Sequence, residues 1–110
     1  MLQRYVKAAD VISPQQYVTN VKVIFDGGLH SFSVAEIEWE GENCIGIRWN
    51  VARNEWVRED KKNGDYACLG MPTSHGTPVW FILPLVSVNY LHQMIEDEKK
   101  RLKEKGLLNE

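Results

Sequence analysis

Apolar and polar positions alternate with a period of two around residue 47. Ile45, Ile47, Trp49 and Val51 form one series, and Cys44, Gly46, Arg48 and Asn50 form the other. This predicts a central strand with Trp49 buried in the core and Arg48 turned away from it. A second alternation, at Thr19, Val21, Val23 and Phe25, predicts a strand over residues 19–25. Asp26-Gly27-Gly28 follows, and these residues tolerate the positive φ of a tight hairpin. With Gly27-Gly28 as its loop, Val23 faces Phe32 and Val21 faces Val34. The next strand, over residues 29–40, changes phase: Phe32 and Val34 come first, then Ala35, Ile37 and Trp39. A β-bulge near Val34-Ala35 accounts for the change, and so does apolar cover on both faces. Gly41-Glu42-Asn43 reads as a three-residue loop with Asn43 left-handed. Trp39 then faces Ile45, Ile37 faces Ile47, and Glu36 faces Arg48.

Residues 52–77 hold no sustained period and are punctuated by Asn63-Gly64, Gly70, Pro72 and Gly76. They also carry Trp56, Tyr66, Leu69 and Met71, so an ordered loop packed on the sheet is expected, with room for a short hairpin about Asn63-Gly64. Residues 78–84 are apolar between two prolines. They predict a strand buried on both faces that joins the sheet; if it pairs antiparallel with residues 45–50, its start lies beside Asn50 and near Arg53. Residues 87–105 predict a helix with the stripe Val88, Leu91, Ile95 and Leu102 and with Met94 beside it. Ser87 is its cap and Gly106 its end. Glu96–Lys100 and Asp97–Arg101 are expected i,i+4 pairs, and the charged last turns are expected to project past the sheet or to meet another chain.

Near the start the signals conflict. Leu2, Tyr5, Val6 and Ala9 have helical spacing, whereas Val11 and Ile12 favour a strand. Ser13-Pro14 opens a turn through Tyr17. The expected fold class is therefore α+β: an antiparallel sheet of about four or five strands with a C-terminal amphipathic helix packed on one face. A single domain spanning residues 1–110 is expected. It comprises a segment over 1–17, a β-rich body over 18–84 with its long loop at 52–77, and the helix.

Composition narrows the function. Thirteen Lys and Arg against fifteen Asp and Glu give a net charge of −2, which excludes a strongly basic nucleic-acid binder and any steering toward anionic membranes. No apolar run approaches the ~20 residues of a membrane span, and none follows Met1-Leu2-Gln3-Arg4 as a signal peptide would require. Cys44 and Cys68 stand far apart. A cytoplasmic location with reduced thiols is expected.

Three constellations carry candidate chemistry. Arg48, Arg53 and Arg58 lie among Trp49, Trp56 and Tyr66, a mixture able to bind anions or stack bases. Thr73-Ser74-His75-Gly76-Thr77 offers hydroxyl and amide donors to a phosphate or carboxylate, although it lacks the lysine and helix start of a P-loop. Cys68 and His75 are the one nucleophile–base combination, with Asp65 available to orient the histidine. His30, His75, His92, Cys44 and Cys68 lack metal-ligand spacing, so neither a metal nor a cofactor is predicted.

Residues 48–56, Arg48-Trp49-Asn50-Val51-Ala52-Arg53-Asn54-Glu55-Trp56, taken together with residues 68–84 resemble a group of small bacterial proteins. The resemblance covers roughly the second half of the chain. No established activity goes with it, so it assigns no residue a role.

The leading expectation is a non-catalytic binding or protein-interaction module. Arg48, Arg53, Trp56, Ser74 and His75 would contact a small anion or a protein partner, and a homodimer is left open. One alternative is a weak nucleic-acid or nucleotide binder using Arg48, Arg53, Arg58 and Trp56. The other is a cysteine-dependent hydrolase or transferase using Cys68 and His75.

Overall fold

The computed structural model describes residues 3–107; Leu2, part of the N-terminal helical spacing, lies outside them. Strands β1 (Val18–Asp26), β2 (Phe32–Trp39), β3 (Glu42–Trp49) and β6 (Phe81–Leu83) form an antiparallel sheet in the order β1-β2-β3-β6. A separate two-stranded hairpin pairs β4 (Thr73–Ser74) with β5 (Thr77–Pro78). Helix α1 (Glu59–Lys62) lies within the long loop, and helix α2 (Val88–Glu104) ends the fold. The class is α+β, as the periodicities predict.

The registers differ from expectation, and the turns explain why. Glu40 and Gly41 both have positive φ, 51° and 84°, and close a two-residue hairpin. Trp39 therefore pairs with Glu42, Ile37 with Cys44 and Ser33 with Arg48. The first hairpin also has a longer loop than Gly27-Gly28, so Val21 pairs with Ile37 and Phe25 with Val34. The bulge expected on β2 lies across from it. Register shifts fall between Val18 and Asn20 and between Val23 and Phe25, both on β1, while β2 pairs with β3 without interruption.

The phase change in β2 reflects cover on both faces. Phe32, Val34 and Ile45 join Leu91, Ile95 and Leu102 of α2 in one core. Ala35 and Ile37 join Ala8, Val11, Val18 and Trp80 in a second core on the opposite face. That second cover is the N-terminal segment, which contains a 3-10 turn at Ala8–Asp10 and is fixed by a 2.7 Å bond from Trp80 Nε1 to the Val11 carbonyl. Gly46 leaves room for this arrangement, because a Cβ there would stand 2.9 Å from the Trp80 ring.

The α2 stripe is placed as predicted: Leu91, Ile95 and Leu102 are buried and Val88 is half-buried. Ser87 Oγ donates to the Pro84 carbonyl rather than capping the helix. The surface ion pairs run i,i+3, Lys99 with Glu96 and Arg101 with Glu98. The charged last turns stay on the protein, since Leu102 is fully buried and Glu98 accepts a bond from Ser31 Oγ. Leu91→Ala should cost about 2–3 kcal/mol, the low end for a core leucine, because the site opens toward the helix surface. Lys99→Ala should be nearly silent. Urea denaturation of both variants measures the contrast.

Candidate functional site: an apolar cleft beside a clamped loop

Arg48 and Trp49 exchange the environments that the alternation predicts. Arg48 is 3% exposed and Trp49 is 53% exposed. Trp49 does sit on the α2 side of β3, but α2 does not reach it. Past Pro84 the helix starts beside β6, and at its far end Arg101 donates to the His30 carbonyl in the β1–β2 loop. One corner of the sheet is left bare.

That corner is a cleft of about 450 Å³. Phe32 and Ile47 line its sheet side, Met94 of α2 lines one wall, and Met71 with Pro72 lines the other. Trp49 and Phe81 flank it, each more than half exposed. Trp49 stands edge-on to Phe32 with ring centroids 6.1 Å apart. Phe81 sits on edge strand β6, opposite Ile47. Of residues 78–84 only Phe81–Leu83 form a strand, antiparallel to β3, and its cover is uneven: Ile82 packs on the second core and Leu83 on the first, whereas Phe81 is exposed.

The loop wall is built by buried polar groups. The Arg48 guanidinium donates to the carbonyls of Leu69, Pro72 and Val79. These carbonyls flank the β4–β5 hairpin, whose base is closed by Val79 N–H on the Pro72 carbonyl at 3.1 Å. Burial pulls the Arg48 guanidinium down to about 10, with Glu55 acting in the opposite sense. Trp49 and Met71 exchange backbone bonds of 2.8 and 3.1 Å, which holds Met71 at the rim.

Glu55 organises the preceding stretch. Its Oε1 accepts from the N–H groups of Ala52 and Gly70, each at 2.9 Å. Its Oε2 accepts from Leu69 N–H at 2.7 Å and from Lys61 Nζ at 2.9 Å. Lys61 also donates to the Ala67 carbonyl at 3.0 Å. Burial pushes the Glu55 carboxyl up, but these donors together hold it below its ordinary value.

The expected contact residues do not converge. The donors of Arg48 are turned onto backbone carbonyls, so the outward, accessible Arg48 expected from the alternation is not found. Asn50, expected on the same outer face, is buried and bonded to Ser33, Asp26 and Gly28. Arg53 is exposed and lines a polar cavity of about 440 Å³ with Thr73 and Glu55. Arg58 is engaged by Asp60. Trp56 stacks on His30, with centroids 4.9 Å apart. Ser74 and His75 are exposed in the β4–β5 hairpin, which replaces the one considered at Asn63-Gly64.

Cys68 is fully buried and burial pushes its thiol up; its hydrogen bond comes from Gln3, not from His75. Cys44 and Cys68 are both free. Among the described residues no cluster of three His, Cys, Asp or Glu could hold a metal, and no helix is long and apolar enough to cross a membrane.

The sequence pattern places Phe81 in a buried strand, Met94 beside the helix stripe and Met71 in a loop packed on the sheet; Trp49 reads as core and as one aromatic of the arginine constellation, and nothing in the pattern gathers the four. The one signal available is the apolar run over 79–83, which holds more apolar side chains than the two cores cover and leaves Phe81 outside them. Comparison with known proteins found no match: no family model, no curated protein and no solved structure is similar to this chain.

Proposed function

We propose that the protein is a non-catalytic protein-interaction module whose recognition surface is the apolar cleft. The observation that carries this reading is the exposure of Trp49, Met71 and Phe81 around one concave site. Large apolar side chains scattered singly over a surface need no explanation, but several gathered around one cavity mark a binding site. Aromatic and methionine side chains are also the residue types enriched at protein interfaces. The wall is pre-formed by the Arg48 clamp, so little ordering opposes binding. The buried Arg48 and the net charge of −2 weigh against nucleic acid.

The probe for this reading is anilinonaphthalene sulfonate, applied to the chain at low micromolar concentration. Its fluorescence gain should fall at least about fivefold in Phe81→Glu, because charge at an apolar site opposes binding. The gain should persist in Arg53→Ala. An unchanged gain in Phe81→Glu, or its loss in Arg53→Ala, overturns the assignment to the cleft.

A further inference from the structure

Charge is absent from one half of the C-terminal helical region and concentrated in the other. Residues 85–95 contain no Asp, Glu, Lys or Arg, whereas nine of the ten residues 96–105 are charged. The uncharged half is not a buried half. Tyr90 is 80% exposed and Val86 is 79% exposed. Tyr90 lies one turn before Met94, a wall of the cleft, and Val86 lies a further turn before Tyr90. A solvated helix surface ordinarily carries charge, and depletion of charge together with exposed aromatics is the signature of an interface core.

The apolar surface is therefore larger than the cleft. Weighted by their exposures, Val86, Tyr90, Met94, Trp49, Met71 and Phe81 present on the order of 700 Å². This approaches the ~800 Å² of accessible surface that each partner contributes to a standard interface. The surface also holds both halves of a fit, a projecting Tyr90 and a cavity of about 450 Å³ beside it. A two-fold axis passing between projection and cavity makes such a surface complementary to itself.

We infer that the occupant of the cleft is a second copy of this chain: a symmetric dimer forms in which Tyr90 of each protomer enters the cleft of the other. This inference rests on the cleft being a recognition site. The two α2 helices pack antiparallel through their uncharged halves. Each charged half, residues 96–105, then extends beyond the start of the other helix, so like charges are not brought face to face. Trp49 and Phe81 become covered by the partner, which accounts for their exposure in a single chain.

The test is sedimentation velocity of the full chain in reducing buffer, from low micromolar to near-millimolar concentration. Wild type should pass from monomer to dimer, with a blue shift of tryptophan emission as Trp49 is covered. Tyr90→Glu alters a side chain that is 80% exposed and makes no hydrogen bond or ring contact among the described residues, so folding should be kept. It should raise the dissociation constant at least about 30-fold, as loss of a central anchor does. Lys100→Ala should leave the dimer unchanged. A wild type that stays monomeric throughout overturns the inference, as does a dimer that persists in Tyr90→Glu. A chain that stays monomeric yet takes the apolar probe in a Phe81-dependent manner overturns only the second copy and leaves the recognition surface standing. A chain that takes no probe at low concentration and forms no dimer overturns both.

Discussion

Arg48→Met should destabilise the protein by about 3–5 kcal/mol and loosen the loop wall of the cleft. The guanidinium donates to the carbonyls of Leu69, Pro72 and Val79. A thioether supplies no donor, so the Leu69 and Val79 carbonyls lose their partner, and the Pro72 carbonyl keeps only Val79 N–H, in a site where the native side chain is 3% exposed. Each orphaned buried acceptor costs roughly 1–3 kcal/mol, and water entering from the hairpin side offsets part of the sum. Arg48→Lys should recover less than half of the loss, because one compact ammonium cannot replace a planar fork aimed at several acceptors. Urea denaturation gives the stabilities. Hydrogen exchange separates the clamp from general softening: the amides of Met71 and Val79 should exchange faster in Arg48→Met, whereas those of β1 should follow global stability alone. An Arg48→Met protein as stable as wild type would mean that the clamp is not what holds the wall.

The position of Arg48 also marks where sequence reasoning stops. A period of two separates the two faces of β3 correctly, but it does not say how many layers the sheet lies between. Gly46, Arg48 and Asn50 read as an outer face because they are small or polar. In the fold they face the N-terminal segment and the loop. The glycine there makes room for Trp80, and the polar groups serve as anchors for backbone. The α2 stripe was legible because helical periodicity with a single apolar face has one solution. That the run over 79–83 joins the sheet was legible because an apolar run must find one; its pairing with β3 was only one of the arrangements open to it. The cleft was not legible, since alternation carries no record of where a crossing helix stops, and Trp49 would read the same under α2 or beside it. Nor was the Glu55–Lys61 pair visible, because no local period links a 3-10 turn to a short helix. The loop over 52–77 is ordered as expected, but its turn Arg53–Val57 and helix α1 stand where no local period pointed to helix.

Glu55→Leu should cost about 4–5 kcal/mol, and more than removal of its ionic partner. Breaking a buried ion pair from one side strands the other charge, which commonly costs about 3–5 kcal/mol. Here the two sides are unequal. Without Glu55, the Lys61 ammonium keeps only the Ala67 carbonyl, and the N–H groups of Ala52, Leu69 and Gly70 all lose their acceptor. Without Lys61, the Glu55 carboxylate keeps those three N–H donors, so Lys61→Met should cost only about 2 kcal/mol. The double variant Glu55→Leu/Lys61→Met should stay close to Glu55→Leu, since the orphaned backbone groups remain. The same asymmetry appears in the pH dependence. A carboxyl held below its ordinary value contributes in full above the unfolded value of about 4.3, and that contribution is lost as pH falls through the lower folded value. Wild-type stability should therefore drop below about pH 4, and Glu55→Gln should show a shallower drop. The drop should not vanish, because Glu98 is also held low by Arg101 and Ser31 against a smaller effect of burial. Urea midpoints at pH 7 and pH 3 for wild type, Glu55→Gln, Glu55→Leu and Lys61→Met provide the comparison. A Lys61→Met cost equal to or greater than that of Glu55→Leu would place the energy in the ion pair rather than in the backbone amides that Glu55 gathers.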